Sequence, residues 1–385
     1  MAIIRTVCGD IAPQELGFTS FHEHTIFDQT KLRDILENSL PEMKEGAVLY
    51  NTAKDILKEQ VRRKLKRYPK VPKRDLDGVM NGFFLPEGHP GLKLSNLDYY
   101  VNELEEFKKV GGQSLCDCSM IPTIDSYQAM KELSEKTGVH IVTTAGFYTR
   151  PSLPEEIKNG TDEFVMETYR DYALKGDRYG TRPGILKAAI ASLEEGGKVA
   201  KEELKCVRAG STVAKELGMP FIIHTAFPIR KEHLAFAADM MLNEVGVDPS
   251  RVEFCHIDDL SLAFDPAAHI CRDGYDIEFA KILLDRGFNI GLDTWSVTMD
   301  NDEIWAYAKA ARKAMLRELD QMGVASQILF GHDFTSRTAG TQNGRPGYTQ
   351  WPTTLQQMVA DGELSEDFLR QAAVDNPARI LSIEE

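Results

Sequence analysis

The sequence predicts an α/β fold, namely a (β/α)8 barrel of the TIM type with a long insertion after its first strand. Three observations support this prediction. Eight short β-type runs recur along the 385 residues, segments with helical periodicity separate most of them, and each run ends in polar residues. Such alternation indicates βαβ units and a parallel sheet. Eight units match the length typical of a barrel, whereas a doubly wound open sheet is the structural alternative.

The eight predicted strands are LGFTSFHEH (16–24), QSLCDCSM (from 113), HIVTTAGF (from 140), GILKAAI (from 184), PFIIHTA (from 220), VEFCHID (from 252), FNIGLDT (from 288) and QILFGHDF (from 327). Two amphipathic helices are predicted among them. One carries the apolar stripe Leu97, Val101, Leu104 and Phe107. The other has Ile304, Ala308, Ala311, Met315, Leu319 and Met322 on one face. Both end at glycine, as helix C-termini commonly do.

The chain, residues 1–385, is predicted to form a single domain with an insertion at about 29–96. The insertion occupies the first βα loop, and βα loops of a barrel lie on the face that carries the active site. We therefore expect a lid or an oligomer contact there, such as the interface of a homodimer. A locally basic run in it, ILKEQVRRKLKRYPKVPKR, is more typical of a solvated helix face than of an anion site.

Composition and charge restrict the class of protein. The net charge of −14 argues against a nucleic-acid partner, since binding the phosphate backbone needs a positive field. No apolar run is long enough to span a bilayer, so no membrane association is expected. The N-terminus lacks the pattern of a secretory signal, and six scattered cysteines do not make a disulfide framework. The expectation is a cytoplasmic protein that acts on a small-molecule substrate.

Polar residues at the ends of the predicted strands are the candidates for chemistry. These ends converge on one mouth in a barrel. His22 and His24 are two apart, so both side chains leave the same face of a strand and can bind one metal ion. The full candidate set is His22, His24, Lys187, His224, His256 and Asp333.

Other residues near these ends have structural interpretations. Alternation turns His332 away from Asp333 and turns Glu23 toward the barrel wall as a hydrogen-bonded support. His140 begins a strand and is expected at the opposite end of the barrel. Lys187 faces a dry interior, which favours a neutral amine that can form a carbamate with carbon dioxide. An ion pair of Lys187 with Asp333 or Asp293 is the alternative.

The motifs TVCGDIAPQELGFTSFHEH, GILKAAI, FIIHTA, FCHIDDL, GLDT, ILFGHDF and VDNPARIL together resemble the phosphotriesterase family of the amidohydrolase superfamily. The resemblance spans nearly the whole chain. It implies two divalent metal ions, with zinc as the default and manganese, cobalt or iron as substitutes. It also implies His22, His24 and Asp333 on the first ion and His224 and His256 on the second. N6-carboxylated Lys187 and a hydroxide would bridge them, with Asp333 as proton acceptor.

The sequence departs from the phosphotriesterases at one place. These enzymes carry a histidine after GLD, which relays a proton together with an aspartate; here Thr294 replaces it, although the aspartate is present as Asp259. The loop GFYTRPSLP, with Tyr148, looks like the lactonase members of the family. We therefore favour a lactone or carboxylic ester as substrate over a phosphotriester. A barrel that binds a ligand without turnover is the non-enzymatic alternative.

Arginines near the predicted mouth suggest an anionic substrate, such as a phosphorylated lactone. A guanidinium group suits carboxylate or phosphate. Ordinary surface or ion-paired positions are the alternative for each of them. The candidates are Arg150, Arg182, Arg230 and Arg337.

Overall fold

A computed structural model of the chain describes residues 2–26, 96–121, 124–226, 228–262, 274–295, 302–334 and 340–384. The strands in these residues are β1 Ala2–Thr6, β2 Gly9–Ile11, β3 Thr19–Glu23, β4 Ser114–Ile121, β5 His140–Gly146, β6 Ile185–Ile190, β7 Phe221–Thr225, β8 Val252–Phe254, β9 Asn289–Leu292, β10 Ile328–Phe330 and β11 Ile383–Glu384. The α-helices are α1 Leu97–Lys109, α2 Gln128–Thr137, α3 Glu155–Asn159, α4 Asp162–Lys175, α5 Lys201–Leu217, α6 Lys231–Met240, α7 Ile257–Leu262, α8 Glu278–Leu284, α9 Asp302–Met322, α10 Gln350–Ala360, α11 Glu366–Arg370 and α12 Asn376–Leu381.

Strands β3 to β10 form one eight-stranded sheet in which each strand pairs in parallel with its neighbour in the chain. The two edges of the sheet meet beyond β10. There the backbone N–H groups of His332 and Asp333 donate to the carbonyl oxygen of His22, at 3.2 and 3.0 Å. The sheet is thus nearly closed into a barrel, so the predicted (β/α)8 fold is confirmed and the open sheet is excluded.

Alternation along the strands separates two apolar clusters. On β4, Leu115 belongs to the cluster between the sheet and the helices, whereas Cys116 and Cys118 belong to the cluster inside the barrel. This follows from the pleat of a strand, which sends successive side chains to opposite faces. Both cysteines are fully buried free thiols, which agrees with a packing role.

A second sheet, which the sequence analysis did not predict, covers the other end of the barrel. Its strand order is β11-β1-β2, with antiparallel pairs. Ile4 and Leu16 from the N-terminal segment pack with Ile380 and Leu381 of α12 against the interior cluster. The N–H of Val7 donates to Ile141 near the start of β5, which places this sheet at the N-terminal end of the barrel. Among the described residues, this sheet and α12 thus cover the N-terminal end of the barrel.

Helices follow the predicted pattern with one difference. In α1, Leu104 and Phe107 of the predicted stripe are fully buried. In α9, Met315 and Leu319 are buried as expected, whereas Met322 is 37% exposed because the helix ends there. Among the described helices none is long and apolar enough to cross a membrane. Apart from Asn96, the 29–96 insertion lies outside the described residues.

Candidate metal centre

The six residues predicted at the strand ends lie at the C-terminal face of the barrel. His22, Lys187 and His224 are on β3, β6 and β7. The other three, His24, His256 and Asp333, follow β3, β8 and β10 within a few residues. Four of the six are buried, and His24 and Asp333 are partly exposed. The fold therefore brings together residues that are up to 311 positions apart in the chain.

One group of donor atoms comes from His22, His24 and Asp333. Nε2 of His24 lies 3.2 Å from Oδ1 of Asp333, and Nε2 of His22 lies 3.9 Å from the same oxygen. One ligand atom from each residue lies within 4.8 Å of the other two. Two imidazoles and a carboxylate in such a cluster are a usual donor set for zinc and similar ions.

A second group comes from His224 and His256. Nδ1 of His224 is 2.8 Å from Nε2 of His256. The outer nitrogen of His224, Nε2, lies 3.2 Å from the hydroxyl of Tyr148. The ring of His256 is also 4.6 Å from that of His22, so the two groups are adjacent.

Lys187 lies near both groups, since its charge acts on His22 and on His224. Its side chain is 1% exposed, and Nζ is 5.9 Å from the centre of the Tyr148 ring. Within the part of the chain that the structure describes, the ammonium has no carboxylate partner within 4.0 Å, so the alternative ion pair with Asp293 or Asp333 is not formed. A buried lysine without a counter-ion is costly as a cation.

The carboxylate of Asp293 contacts one histidine from each of the two groups, His256 and His22. Its Oδ1 accepts from both the backbone N–H and Nδ1 of His256, at 2.8 Å each. Its Oδ2 lies 3.0 Å from Nδ1 of His22. A carboxylate on one ring nitrogen fixes the tautomer and directs the other nitrogen outward, as is usual for metal-binding histidines. The sequence analysis considered Asp293 only as a partner of Lys187, although its position at the end of a strand is the signal that identifies it.

His256 and Asp333 share an unusual backbone conformation. Their φ angles are +63° and +50°, and among the described residues no other non-glycine residue has a positive φ. This left-handed region is disfavoured for residues with a side chain, and such outliers concentrate at functional sites. The chain therefore turns sharply after β8 and β10, and this turn directs both side chains toward the centre.

Charges in the site differ strongly from those of free side chains. Burial, with the charge of Lys187, lowers the pKa of His22 to about 4. Burial also lowers the pKa of His224. Burial would lower that of His256 too, but the charge and hydrogen bond of Asp293 raise it to about 9. In Asp333 the hydrogen bond from His24 and the nearby histidines outweigh burial and lower the pKa.

The residues fit a metal ion. Nε2 of His22 is buried and finds no hydrogen-bond partner among the described residues, although leaving such an atom unsatisfied costs free energy. It faces the same oxygen of Asp333 as His24 does. A cation held there would satisfy all three groups at once.

Two further contacts support the ligand side chains. The hydroxyl of Ser119 lies 2.8 Å from Nδ1 of His24. Glu23 accepts from the backbone N–H and Nδ1 of His332, at 3.0 and 2.6 Å, and both residues are fully buried. The supporting roles expected for Glu23 and His332 are therefore confirmed. The sequence analysis missed Ser119.

Thr294, which stands where the phosphotriesterases carry the relay histidine, belongs to a buried cluster with Arg312 and Asp258. Nε of Arg312 donates to Asp258 at 2.8 Å, and Nη2 donates to the hydroxyl of Thr294 at 2.6 Å. That hydroxyl in turn donates to Asp258 at 2.8 Å. Asp259 lies beside the cluster, partly buried, and burial raises its pKa. The hydroxyl of Thr294 is thus hydrogen-bonded to Arg312 and Asp258.

The residues predicted to bind substrate have different surroundings. Tyr148 lies at the centre, against His224. The side chain of Arg150 is 45% exposed and lies 3.4 Å from Glu202, which is the ion-paired alternative. Arg182 and Arg230 are partly buried and have polar or charged partners of their own. Arg337 lies outside the described residues.

Comparison with known proteins places this site in context. The chain matches the family model of the phosphotriesterase family over residues 2–381. It is 25% identical over 392 residues to an N-acetyltaurine hydrolase of Bos taurus, covering 99% of this chain and 98% of that one. It is 23% identical over 384 residues to a phosphotriesterase-related protein of Nematostella vectensis, with the same two shares.

Solved structures have the same fold. A lactonase from Listeria monocytogenes matches with a TM-score of 0.68 and 21% identity, with 100% of both chains covered. A phosphotriesterase homology protein from Escherichia coli, complexed with phosphate in its active site, matches with a TM-score of 0.67 and 20% identity, over 95% of this chain and 99% of that one. With its whole length matched by the family model, this chain belongs to the phosphotriesterase family and is a hydrolase.

Proposed function

We propose that the protein is a binuclear metal-dependent hydrolase of a small lactone or carboxylic ester, with an anionic group on the substrate. The observation that carries the proposal is the convergence of four histidines, Lys187 and Asp333 at the C-terminal end of the barrel. Nε2 of His22, a buried nitrogen, lacks a hydrogen-bond partner among the described residues, which a purely structural role does not explain.

The ligand groups divide between two ions. His22, His24 and Asp333 would hold the first ion, and His224 and His256 the second, with a carboxylated Lys187 between them. Bound divalent ions, by default zinc, with manganese, cobalt or iron as substitutes, lower the pKa of a water toward about 7 and polarise the carbonyl under attack. Lys187 suits carboxylation because it is buried and no carboxylate of the described residues lies within 4.0 Å of its Nζ.

The side chains around the centre supply proton transfer. Asp333 is ionised, because its neighbours hold its pKa low, so it can accept the proton of the attacking water. Asp259 is close enough to Asp333 and His256 for their charges to act on it, and its pKa, which burial raises, suits a transient proton carrier. Thr294 does not extend this path, because its hydroxyl already donates to Asp258.

The lack of a relay histidine at position 294 favours a carbonyl substrate over a phosphotriester. In the phosphotriesterases a histidine stands where Thr294 stands here. Tyr148 supports the same choice, since its ring and hydroxyl lie over His224, beside the position where the ring of a lactone would rest. A phosphotriester remains the alternative substrate, and binding without turnover the alternative function.

An amide is the second candidate, and the named relatives favour it. Proteins called N-acetyltaurine hydrolase are 24–26% identical to this chain, and those of Bos taurus and Xenopus tropicalis match over 98% of their length. That name denotes an N-acetyl amide with a sulfonate group. Lactone, ester and acetamide share a carbonyl carbon that a water attacks, so the same ligand set serves each.

The test combines metal analysis with a substrate panel. The protein should contain about two equivalents of metal, lose activity with a chelator and regain it with added metal. His22→Asn should lower the metal content, whereas His140→Asn, at the opposite end of the barrel, should not. The panel compares plain and phosphorylated lactones, N-acetyltaurine and a phosphotriester. A well-folded protein that neither binds metal nor hydrolyses any member would refute the proposal.

A further inference from the structure

Glu203 is a fully buried carboxylate that accepts three backbone hydrogen bonds. It lies in the first turn of α5 and is 0% exposed. Oε1 accepts from the N–H of Arg150 at 2.7 Å. Oε2 accepts from the N–H groups of Ala191 and Ser192, at 2.8 and 2.9 Å. Hydrogen bonds to a charged acceptor are stronger than neutral ones, so this carboxylate holds its partners firmly.

The three donors belong to two different segments at the mouth. Arg150 follows β5 and is two residues after Tyr148. Ala191 and Ser192 directly follow β6, the strand that carries Lys187. One side chain from α5 therefore ties the Tyr148 segment to the end of the Lys187 strand. Glu202 adds a looser contact, at 3.4 Å, to the exposed side chain of Arg150.

The tied segment determines where Tyr148 stands. The hydroxyl of Tyr148 is 3.2 Å from Nε2 of His224, and the two rings are 4.6 Å apart. Nδ1 of His224 faces His256 at 2.8 Å. A partner on Nε2 fixes the proton there and leaves the lone pair of Nδ1 free for a metal, and losing such a partner typically weakens metal affinity about 10- to 100-fold.

We propose that Glu203 is a positioning residue, which holds Tyr148 against the outer nitrogen of His224 and thereby sets both the affinity of the second metal and the range of substrates. The inference deepens the proposed function and rests on it for the substrate range. The metal affinity can be measured without any substrate.

Glutamine is the informative replacement. It has the same shape but offers one oxygen instead of two, and its NH2 group would face at least one of the three backbone N–H donors. The replacement then loses the hydrogen bonds at one of the two oxygen positions, while the volume of the side chain stays the same. Glu202→Gln is the matched control, since within the described part of the chain the Glu202 carboxylate has one ion pair, with the guanidinium of Arg150 at 3.4 Å, and no part in the backbone contacts of Glu203.

The experiment measures cobalt binding by chelator competition, followed by the visible absorption of the bound ion. We expect Glu203→Gln and Tyr148→Phe each to weaken the second site about 10-fold, and the double variant to be no weaker than Tyr148→Phe alone. Glu202→Gln should bind as the parent does. On the substrate panel, Glu203→Gln should change the ratio of kcat/KM between large and small lactones, and Tyr148→Phe should cancel that change.

Three results would overturn the inference. Unchanged cobalt affinity in Glu203→Gln is one, and effects that add fully in the double variant are another. If Glu203→Gln does not fold, Arg150→Pro removes a single N–H from the tie, and Arg150→Ala removes the same side chain but keeps the N–H. Equal affinities in these two variants are the third. Absence of all turnover by the parent would refute the proposed function but leave the cobalt test intact.

Discussion

Oδ1 of Asp293 holds His256 twice, through its backbone N–H and through Nδ1, at 2.8 Å each. The double contact fixes both the ring and the left-handed backbone of His256. Oδ2 of the same carboxylate lies 3.0 Å from Nδ1 of His22, so one side chain orients a histidine from each group of the proposed metal centre. Asp293 therefore controls the geometry of both groups without being a proposed ligand.

Replacing Asp293 by asparagine should weaken metal binding. The amide keeps the shape but cannot accept from two imidazoles and a backbone N–H, so one ring loses its orientation. We expect metal affinity and turnover to fall about 10- to 100-fold, as for other partners of metal-binding histidines. Chelator competition measures the affinity. Asp239→Asn, which affects only a surface ion pair with Arg286, is the control, and equal affinity in the two variants would contradict this role.

The metal-free protein should lose stability as the pH rises toward 9. The pKa of His256 is raised to about 9 in the folded protein, against about 6.5 in the unfolded chain. The folded state thus binds the extra proton between these values, and its stabilisation is complete below 6.5 and is lost through 9. The full effect is about 3 kcal/mol.

Thermal unfolding of the metal-free protein between pH 6 and 9.5 checks this prediction. Buried thiols add a similar trend above about pH 8.5, so the comparison with Asp293→Asn isolates the part due to His256. The stability of the metal-free Asp293→Asn variant should fall less steeply with pH than that of the parent. The metal-loaded protein should also lack the pH-dependent contribution of His256, because a histidine that binds a metal is already neutral. A slope that Asp293→Asn leaves unchanged would show that another group is responsible.

Gly146 should not tolerate a side chain. Its φ is +146°, and a Cβ would overlap the backbone carbonyl of Lys187 on the neighbouring strand. We expect Gly146→Ala to lower the free energy of unfolding by about 3 kcal/mol or more, because strain and overlap add. Gly138→Ala is the control, since Gly138 also has a positive φ but has no atom within 4 Å of its Cβ position; it should cost about 1–2 kcal/mol. Denaturant titration distinguishes the two, and equal losses would contradict the overlap.

Arg312 should matter far more than an exposed arginine. It is 4% exposed and holds Asp258 and Thr294, which join the ends of β8 and β9 to α9. Arg312→Met leaves Asp258 without its counter-ion, at a cost of about 3–5 kcal/mol. Arg208→Met breaks an exposed pair with Glu244 and should cost about 0–1 kcal/mol. Similar urea midpoints for the two variants would show that the buried cluster is not a stabilising element.

Buried carboxylates recur as anchors of the segments around the mouth. Glu203 holds the segments after β5 and β6, and Asp258 accepts from the backbone N–H groups of Asp293 and Thr294 after β9, at 3.2 and 3.3 Å. Glu103 of α1 does the same for Thr341, whose N–H it accepts at 2.8 Å. The barrel thus holds its functional segments from the helices outside it, which leaves the interior for the centre.

The periodicity of the chain predicted the barrel and its eight strands because the signals are local. A parallel strand with both faces covered is an apolar run, and the polar residue that ends it is visible in the same few letters. His22 and His24 could be paired by the same rule, since the pleat of one strand relates them. The small sheet β11-β1-β2 was missed because its strands are two to five residues long and join opposite ends of the chain.

The sequence by itself determined which residues gather at the C-terminal end of the barrel of this hydrolase, because their positions at strand ends follow from the barrel. Tertiary structure alone decided how they are held. Asp293 between two histidines, Glu203 across two segments and Thr294 against Arg312 are contacts between residues 11 to 271 positions apart in the chain. No local pattern encodes them, since hydrogen bonds between distant segments depend on packing that periodicity does not record.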